Sequence, residues 1–122
     1  MIDLIARRRE MMGASGGDPW PIGETRSQDD FVWYDNKIAW AGNYRNYDGW
    51  RASEMIDIEG VITLNFTSSA SALGYNRFYD ANGDILLTFN RQGVVQVPSD
   101  AQYMILSQNK SQPFEMTITR IA

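Results

Sequence analysis

The 122-residue chain contains no cysteine and no histidine. Without cysteine there are no disulfides, thiolate nucleophiles or zinc–thiolate sites. Without histidine there is no Ser-His-Asp arrangement and no imidazole metal site. Lysine is nearly missing too, present only as Lys37 and Lys110. Carboxylates, those two amines and tyrosine are all that remain for acid–base work. No run approaches the roughly 18 apolar residues of a membrane helix, so no membrane partner is expected. The first residues do not read as an export signal, because the apolar stretch precedes Arg7-Arg8-Arg9 rather than following them. Clustered positive charge is also scarce. The formal net charge is −4, and the three arginines near the start leave the remainder more acidic still. A phosphate backbone needs clustered Lys and Arg, so nucleic acid is not an expected partner.

Aromatic residues are abundant, at 12% of the chain, and Trp20, Trp33, Trp40 and Trp50 all fall between residues 20 and 50. The apolar share of 43% is ordinary for a globular protein, and the length suits one domain.

Residues 1–12 are predicted to form a short helix, being free of Gly and Pro and rich in good helix formers. Ile2, Leu4, Ile5, Met11 and Met12 supply a partial apolar face, and Arg7, Arg8 and Arg9 make the segment basic. Twelve residues are marginal as a free helix. The segment therefore packs on its own domain, anchors on a partner subunit, or stays unfolded. These eight residues are assigned as the partner-binding set. Residues 13–19 form a flexible Gly-rich linker, and Pro19 and Pro21 hold the chain extended around Trp20. The expected organisation is an arm and linker over 1–19 and a β domain over 20–122. The latter divides into an aromatic-rich segment, 20–52, and a core module, 53–122.

Segments 31–34 and 38–44 are strand candidates, with Asp35-Asn36-Lys37 as a tight hairpin turn between them. Gly42 marks a bulge or strand end. Residues 45–53 read as a polar loop carrying Tyr47 and Trp50. Trp40 shares a strand face with Ile38 and reads as core. Further strands are expected at 54–58, 61–67, 75–80, 84–90, 93–97, 103–107 and 114–121. In 61–67, Val61, Thr63, Asn65 and Thr67 alternate with Ile62, Leu64 and Phe66, the period of a half-buried strand. Ala81-Asn82-Gly83 suits a hairpin loop with Gly83 at positive φ. About nine short strands with close turn signals imply a mainly β fold. We expect an antiparallel, jelly-roll-like β-sandwich with a short N-terminal helical arm.

Catalysis finds little support. Asp29-Asp30 are adjacent, so on a strand they would point to opposite faces. Glycoside hydrolysis needs two carboxylates flanking one bond. Asp80-Ala81-Asn82-Gly83-Asp84 spaces oxygens alternately, but a calcium loop wants glycine at position 85, where Ile stands, and a Glu further on that is missing. No metal or cofactor is expected, and the chain reads as non-enzymatic. Trp20, Tyr44, Tyr47 and Trp50 lie in or near loops and are the candidate contact residues. Such rings serve as interface anchors, as core, or as platforms for sugar rings.

Two features carry a resemblance. The apolar start followed by Arg7-Arg8-Arg9 and Met11-Met12 resembles the opening of many structural proteins encoded by phages and prophages of gut bacteria. Over 53–121, Asn76-Arg77-Phe78-Tyr79-Asp80-Ala81-Asn82-Gly83, then Val95-Gln96-Val97-Pro98 and Ala101-Gln102-Tyr103-Met104, resemble a β-sandwich module of phage appendages. There it is a carbohydrate-binding-like fold on fibres, capsid decorations or baseplates. The resemblance implies a virion protein assembled in the host cytoplasm, with capsid, portal or tail subunits as partners. A homo-oligomer is implied as well, a trimer in a fibre. The alternative is a glycan- or receptor-binding module on a phage tail or bacterial surface. The likeness does not extend to 20–52 and carries over no binding residue.

Overall fold

The structure, a computed structural model, describes residues 20–41, 43–68, 75–90, 92–111 and 115–122. The predicted arm and its linker lie outside the described residues, with Ile2, Leu4, Ile5, Arg7, Arg8, Arg9, Met11 and Met12. The described chain is mainly β. Its strands are β1 (Thr25–Ser27), β2 (Trp33–Trp40), β3 (Asn43–Ser53), β4 (Ile56–Asp57), β5 (Thr63–Ser68), β6 (Asn76–Tyr79), β7 (Ile85–Phe89), β8 (Gly93–Gln96), β9 (Tyr103–Ile105), β10 (Ser107–Asn109) and β11 (Met116–Arg120). They form three antiparallel sheets, ordered β1-β11-β5-β8, β10-β3-β2 and β4-β9-β6-β7. A single 3-10 turn, Gln28–Asp30, follows β1. Asp29 and Asp30 take part in its cap: the Asp29 N–H donates to Ser27 Oγ at 3.3 Å, and the Ser27 N–H to Asp30 Oδ2 at 2.7 Å.

Period-two alternation builds the core. Leu64 and Phe66 of β5 and Met116 and Ile118 of β11 are buried, while Thr67 and Thr117 are exposed. With Val95 of β8 they meet Ile56, Phe78, Phe89 and Met104 of the third sheet in one apolar cluster. Phe78 stacks on Phe89 at 4.9 Å, and Phe66 meets Phe89 edge-on at 5.1 Å, so aromatic contacts span both sheets. A second cluster joins Ala39 and Ala52 to Tyr79, Tyr103 and Ile105. Strands β6 and β9 feed both clusters: Phe78 and Met104 enter the first, and Tyr79, Tyr103 and Ile105 the second. Successive side chains on a strand point to opposite faces, so these strands are buried on both sides. That explains the unbroken run Tyr103-Met104-Ile105-Leu106.

The ladder bends where β3 gives way to β4 and β9 to β10. There the Ser53 N–H donates to the Leu106 carbonyl at 2.8 Å, and the Leu106 N–H to Ser53 Oγ at 2.9 Å. A hydroxyl thus satisfies a backbone donor that a regular ladder would pair. The β2–β3 hairpin lies against the third sheet and its β10 continuation. The Ala39 N–H donates to Ser107 Oγ at 2.8 Å, and the Tyr79 hydroxyl to the Trp40 carbonyl at 2.7 Å.

Three local expectations are corrected. Asp35-Asn36-Lys37 is not the hairpin turn, because β2 runs straight through it. The reversal falls between Trp40 and Asn43, which pair across the ladder. Asn36 instead takes φ of 58° within the strand, where Asp35 pairs with Arg51 but Lys37 with Asn46. Residues 47–50 therefore bulge out of β3. The predicted polar loop 45–53 is part of this long strand, which tolerates polar residues because much of it faces solvent. Finally, Val61 is buried and Ile62 is 60% exposed, the reverse of the alternation read from the sequence. Regular pairing starts only at Thr63. The segment 20–52 also shares the main core with 53–122, since β1 pairs with β11 and Trp20 belongs to the first cluster.

Candidate functional site

Of the four contact residues expected from the sequence, Trp20 is overturned. It is fully buried in the main cluster. Its indole N–H donates to the Glu24 carbonyl at 3.0 Å, so the ring's one polar group is satisfied inside the fold. Burial then removes a large apolar area from water at little polar cost. Trp40 moves the other way, from expected core to 40% exposed. The hairpin approaches the third sheet closely enough for backbone–side-chain hydrogen bonds. The residue of β2 that enters the second cluster is the small Ala39, while Trp40, on the opposite face at the end of the strand, stays partly in solvent beyond the buried Ile38. The Arg45 and Arg77 guanidinium carbons sit 4.6 and 5.2 Å from the Trp40 ring centroid.

Tyr44 is half-buried. Its hydroxyl donates to the Ser53 carbonyl at 2.7 Å, and its ring meets Tyr34 edge-on at 5.5 Å. It braces the hairpin. Tyr47 and Trp50 do come together at the surface. Their centroids are 6.1 Å apart, and Trp50 stacks on Tyr75 at 5.3 Å with an interplanar angle of 27°. Tyr47 and Tyr75 are about half exposed. Tyr75 was missing from the sequence-based set. Nothing local pairs it with Trp50, because only the packing of β6 beside β9 and β10 brings the two rings together.

The bulge carrying these rings is held by polar contacts. Asn36 Oδ1 accepts from Lys110 Nζ at 3.2 Å and from the Gly49 N–H at 3.4 Å, and the Lys110 N–H donates to the Gly49 carbonyl at 2.9 Å. Gly49 itself has φ of 83°, which a residue with a Cβ adopts only at a cost. Lys37 donates to Asn46, so both lysines of the chain serve this hairpin. Gln108 pairs with Arg51 in the β10–β3 ladder and is buried, with neither amide atom hydrogen-bonded. Asn76 accepts from the Ser107 N–H at 3.1 Å and leaves Nδ2 unbonded.

Burial pushes the Tyr79 hydroxyl far above the ordinary tyrosine range, against the opposing pull of the Arg77 charge. Tyr103 is raised by burial and by the nearby Asp80 carboxylate. The two rings stack nearly parallel at 4.8 Å. Both are thereby poor proton donors near neutral pH. An open groove of about 520 Å³ runs past Gln28, Asp29, Thr67, Glu115, Met116 and Thr117 beside the first sheet. Among the described residues no group of three or more acidic side chains is placed to hold a metal ion, and no helix is long and apolar enough to cross a membrane. What the hairpin surface offers is contact chemistry: ring faces and edges, guanidinium groups and amides. The chain matches no family model, no curated protein and no solved structure.

Proposed function

We propose that this chain is a structural component of a phage virion, a head fibre, capsid decoration or tail appendage. It anchors through residues 1–12 and projects a β-sandwich. The observation carrying this reading is the strand order. With the β2–β3 hairpin and β10 set aside, the orders β1-β11-β5-β8 and β4-β9-β6-β7 are those of a jelly roll with its two Greek keys. That architecture serves viral capsid and lectin domains among others. A fold alone does not assign a function. Here it is joined by the sequence phrases: 76–83 covers β6 and its turn, 95–98 ends β8, and 101–104 leads into β9. The partners under this proposal are other virion subunits and further copies of the chain, with no enzymatic step and no cofactor.

Light scattering and particle incorporation test it. The full chain is expected to form a closed oligomer, a trimer if it is a fibre, and to enter its particle. A variant lacking residues 1–14 is expected to fold but to fail in assembly. Incorporation of that variant at the full-length level sinks the anchoring idea. The three-ring group Tyr47–Trp50–Tyr75 favours a second reading, a glycan- or receptor-binding module, because exposed rings of this kind suit sugar or protein contacts.

A further inference from the structure

We infer that the surface around Trp40 recognises the acidic groups of a polysaccharide, carboxylate or phosphate. This deepens the contact reading of the hairpin and rests on it. A tryptophan left 40% exposed is apolar area that folding did not remove from water. Its position is nonetheless fixed. The Trp40 carbonyl accepts from the Tyr79 hydroxyl at 2.7 Å, and the neighbouring Ala39 N–H is held by Ser107 Oγ at 2.8 Å. Two guanidinium groups gather at this ring from different sheets, Arg45 from β3 and Arg77 from β6. Neither has a carboxylate within ion-pair distance among the described residues. The Arg77 Nε is buried without a hydrogen-bond partner.

The chain as a whole is acidic, at −4, so carboxylates were available to neutralise these arginines, and among the described residues none does so. A guanidinium resting on an indole is already ordered, so less rotamer entropy is lost when an anion arrives. Its planar donors match the paired oxygens of a carboxylate or phosphate. Beside them, the exposed part of the ring can meet the C–H face of a pyranose. An acidic polysaccharide supplies both features at once. A nucleic acid suits the site poorly, because two cations on an acidic body neutralise few phosphates.

The test titrates the full-length protein with three polymers, polygalacturonate for carboxylate, a teichoic acid for phosphate and neutral dextran, and with a single-stranded oligonucleotide for comparison. Calorimetry is run at low and at physiological salt. One or both acidic polymers should bind, more weakly as salt rises, and dextran should not. Arg45→Gln, at an exposed position, should weaken that binding about tenfold without moving the thermal midpoint. Arg77→Lys keeps the charge but loses the planar fork and should also weaken it. Unchanged affinity in Arg45→Gln overturns the inference. Dextran binding that survives Arg45→Gln and is lost in Tyr75→Ala overturns it while preserving the hairpin as a glycan contact. Failure of every polymer overturns both. Tighter binding of a single-stranded oligonucleotide overturns the ligand class.

Discussion

Arg120 donates from Nη1 to the carbonyl of Trp20 at 2.7 Å, closing the start of the β body against its last strand. The same guanidinium, only 6% exposed, donates to the Gly60 carbonyl at 3.0 Å and to the Ala122 backbone oxygen at 3.2 Å. Backbone bonds run alongside, from the Gly23 N–H to the Arg120 carbonyl and from the Arg120 N–H to the Glu24 carbonyl. A buried cation is tolerated here because carbonyl oxygens replace the water it lost. Arg120→Met removes the donors and leaves carbonyls unsatisfied. Its expected cost is about 3 kcal/mol, read as a lower urea midpoint at unchanged slope.

The two tryptophans that exchanged places set up a direct comparison. Trp20→Ala should destabilise by about 3–5 kcal/mol, the range for deleting a fully buried large ring. Trp40→Ala should cost no more than about 1 kcal/mol, since its ring is already largely shared with solvent and two arginines. Chemical denaturation of both variants, giving the opposite order, would show that their burial has been assigned wrongly.

Gly83 sits at φ of 84° in the turn joining β6 to β7, where its N–H donates to the Asp80 carbonyl at 3.1 Å. Asp80 Oδ1 accepts from the N–H groups of Asn82 and Asp84 at 2.9 and 3.0 Å, which fixes the loop. A β-branched residue strains this conformation, so Gly83→Val should lose roughly 1–2 kcal/mol. The turn residues supply no ring or guanidinium to the Trp40 and Trp50 groups, so affinity measured below the melting range should not change.

Stability should fall at alkaline pH for an identifiable reason. Tyr79 and Tyr103 titrate above the ordinary tyrosine value of 10.0 in the fold, mainly through burial. Above about pH 10 the unfolded chain releases protons that the folded chain retains, so the slope of stability against pH turns negative. Their contribution is complete below pH 10 and shrinks as pH rises beyond it. Tyr103→Phe should flatten this decline. Its hydroxyl is buried without a hydrogen-bond partner, so the change should cost little stability at pH 7. An equally steep decline in the variant would remove Tyr103 from the explanation.

The sequence by itself determined where most strands run after residue 60, because their signals are local. Leu64 and Phe66 alternate with polar neighbours, Gly83 provides the turn, and Pro98 ends the run after β8. The same locality explains the failures. Asp35-Asn36-Lys37 has good turn chemistry, but cross-strand pairing with β3 extends through it and turns it into a bulge. Trp20 follows a glycine-rich stretch and looks peripheral, yet the space between β1, β11 and the Gly60 turn needed a large ring. Trp40 shares a face with the buried Ile38, yet at the end of β2 its ring stays 40% exposed, while Ala39 on the opposite face enters the second cluster. The main features of the contact surface, Trp50 stacked on Tyr75 and Arg77 beside Trp40, join residues far apart in the chain. Spacing along a sequence specifies which face of a strand a side chain takes. Which sheet then covers that face is decided by packing among all three sheets, and so is visible only in the tertiary structure.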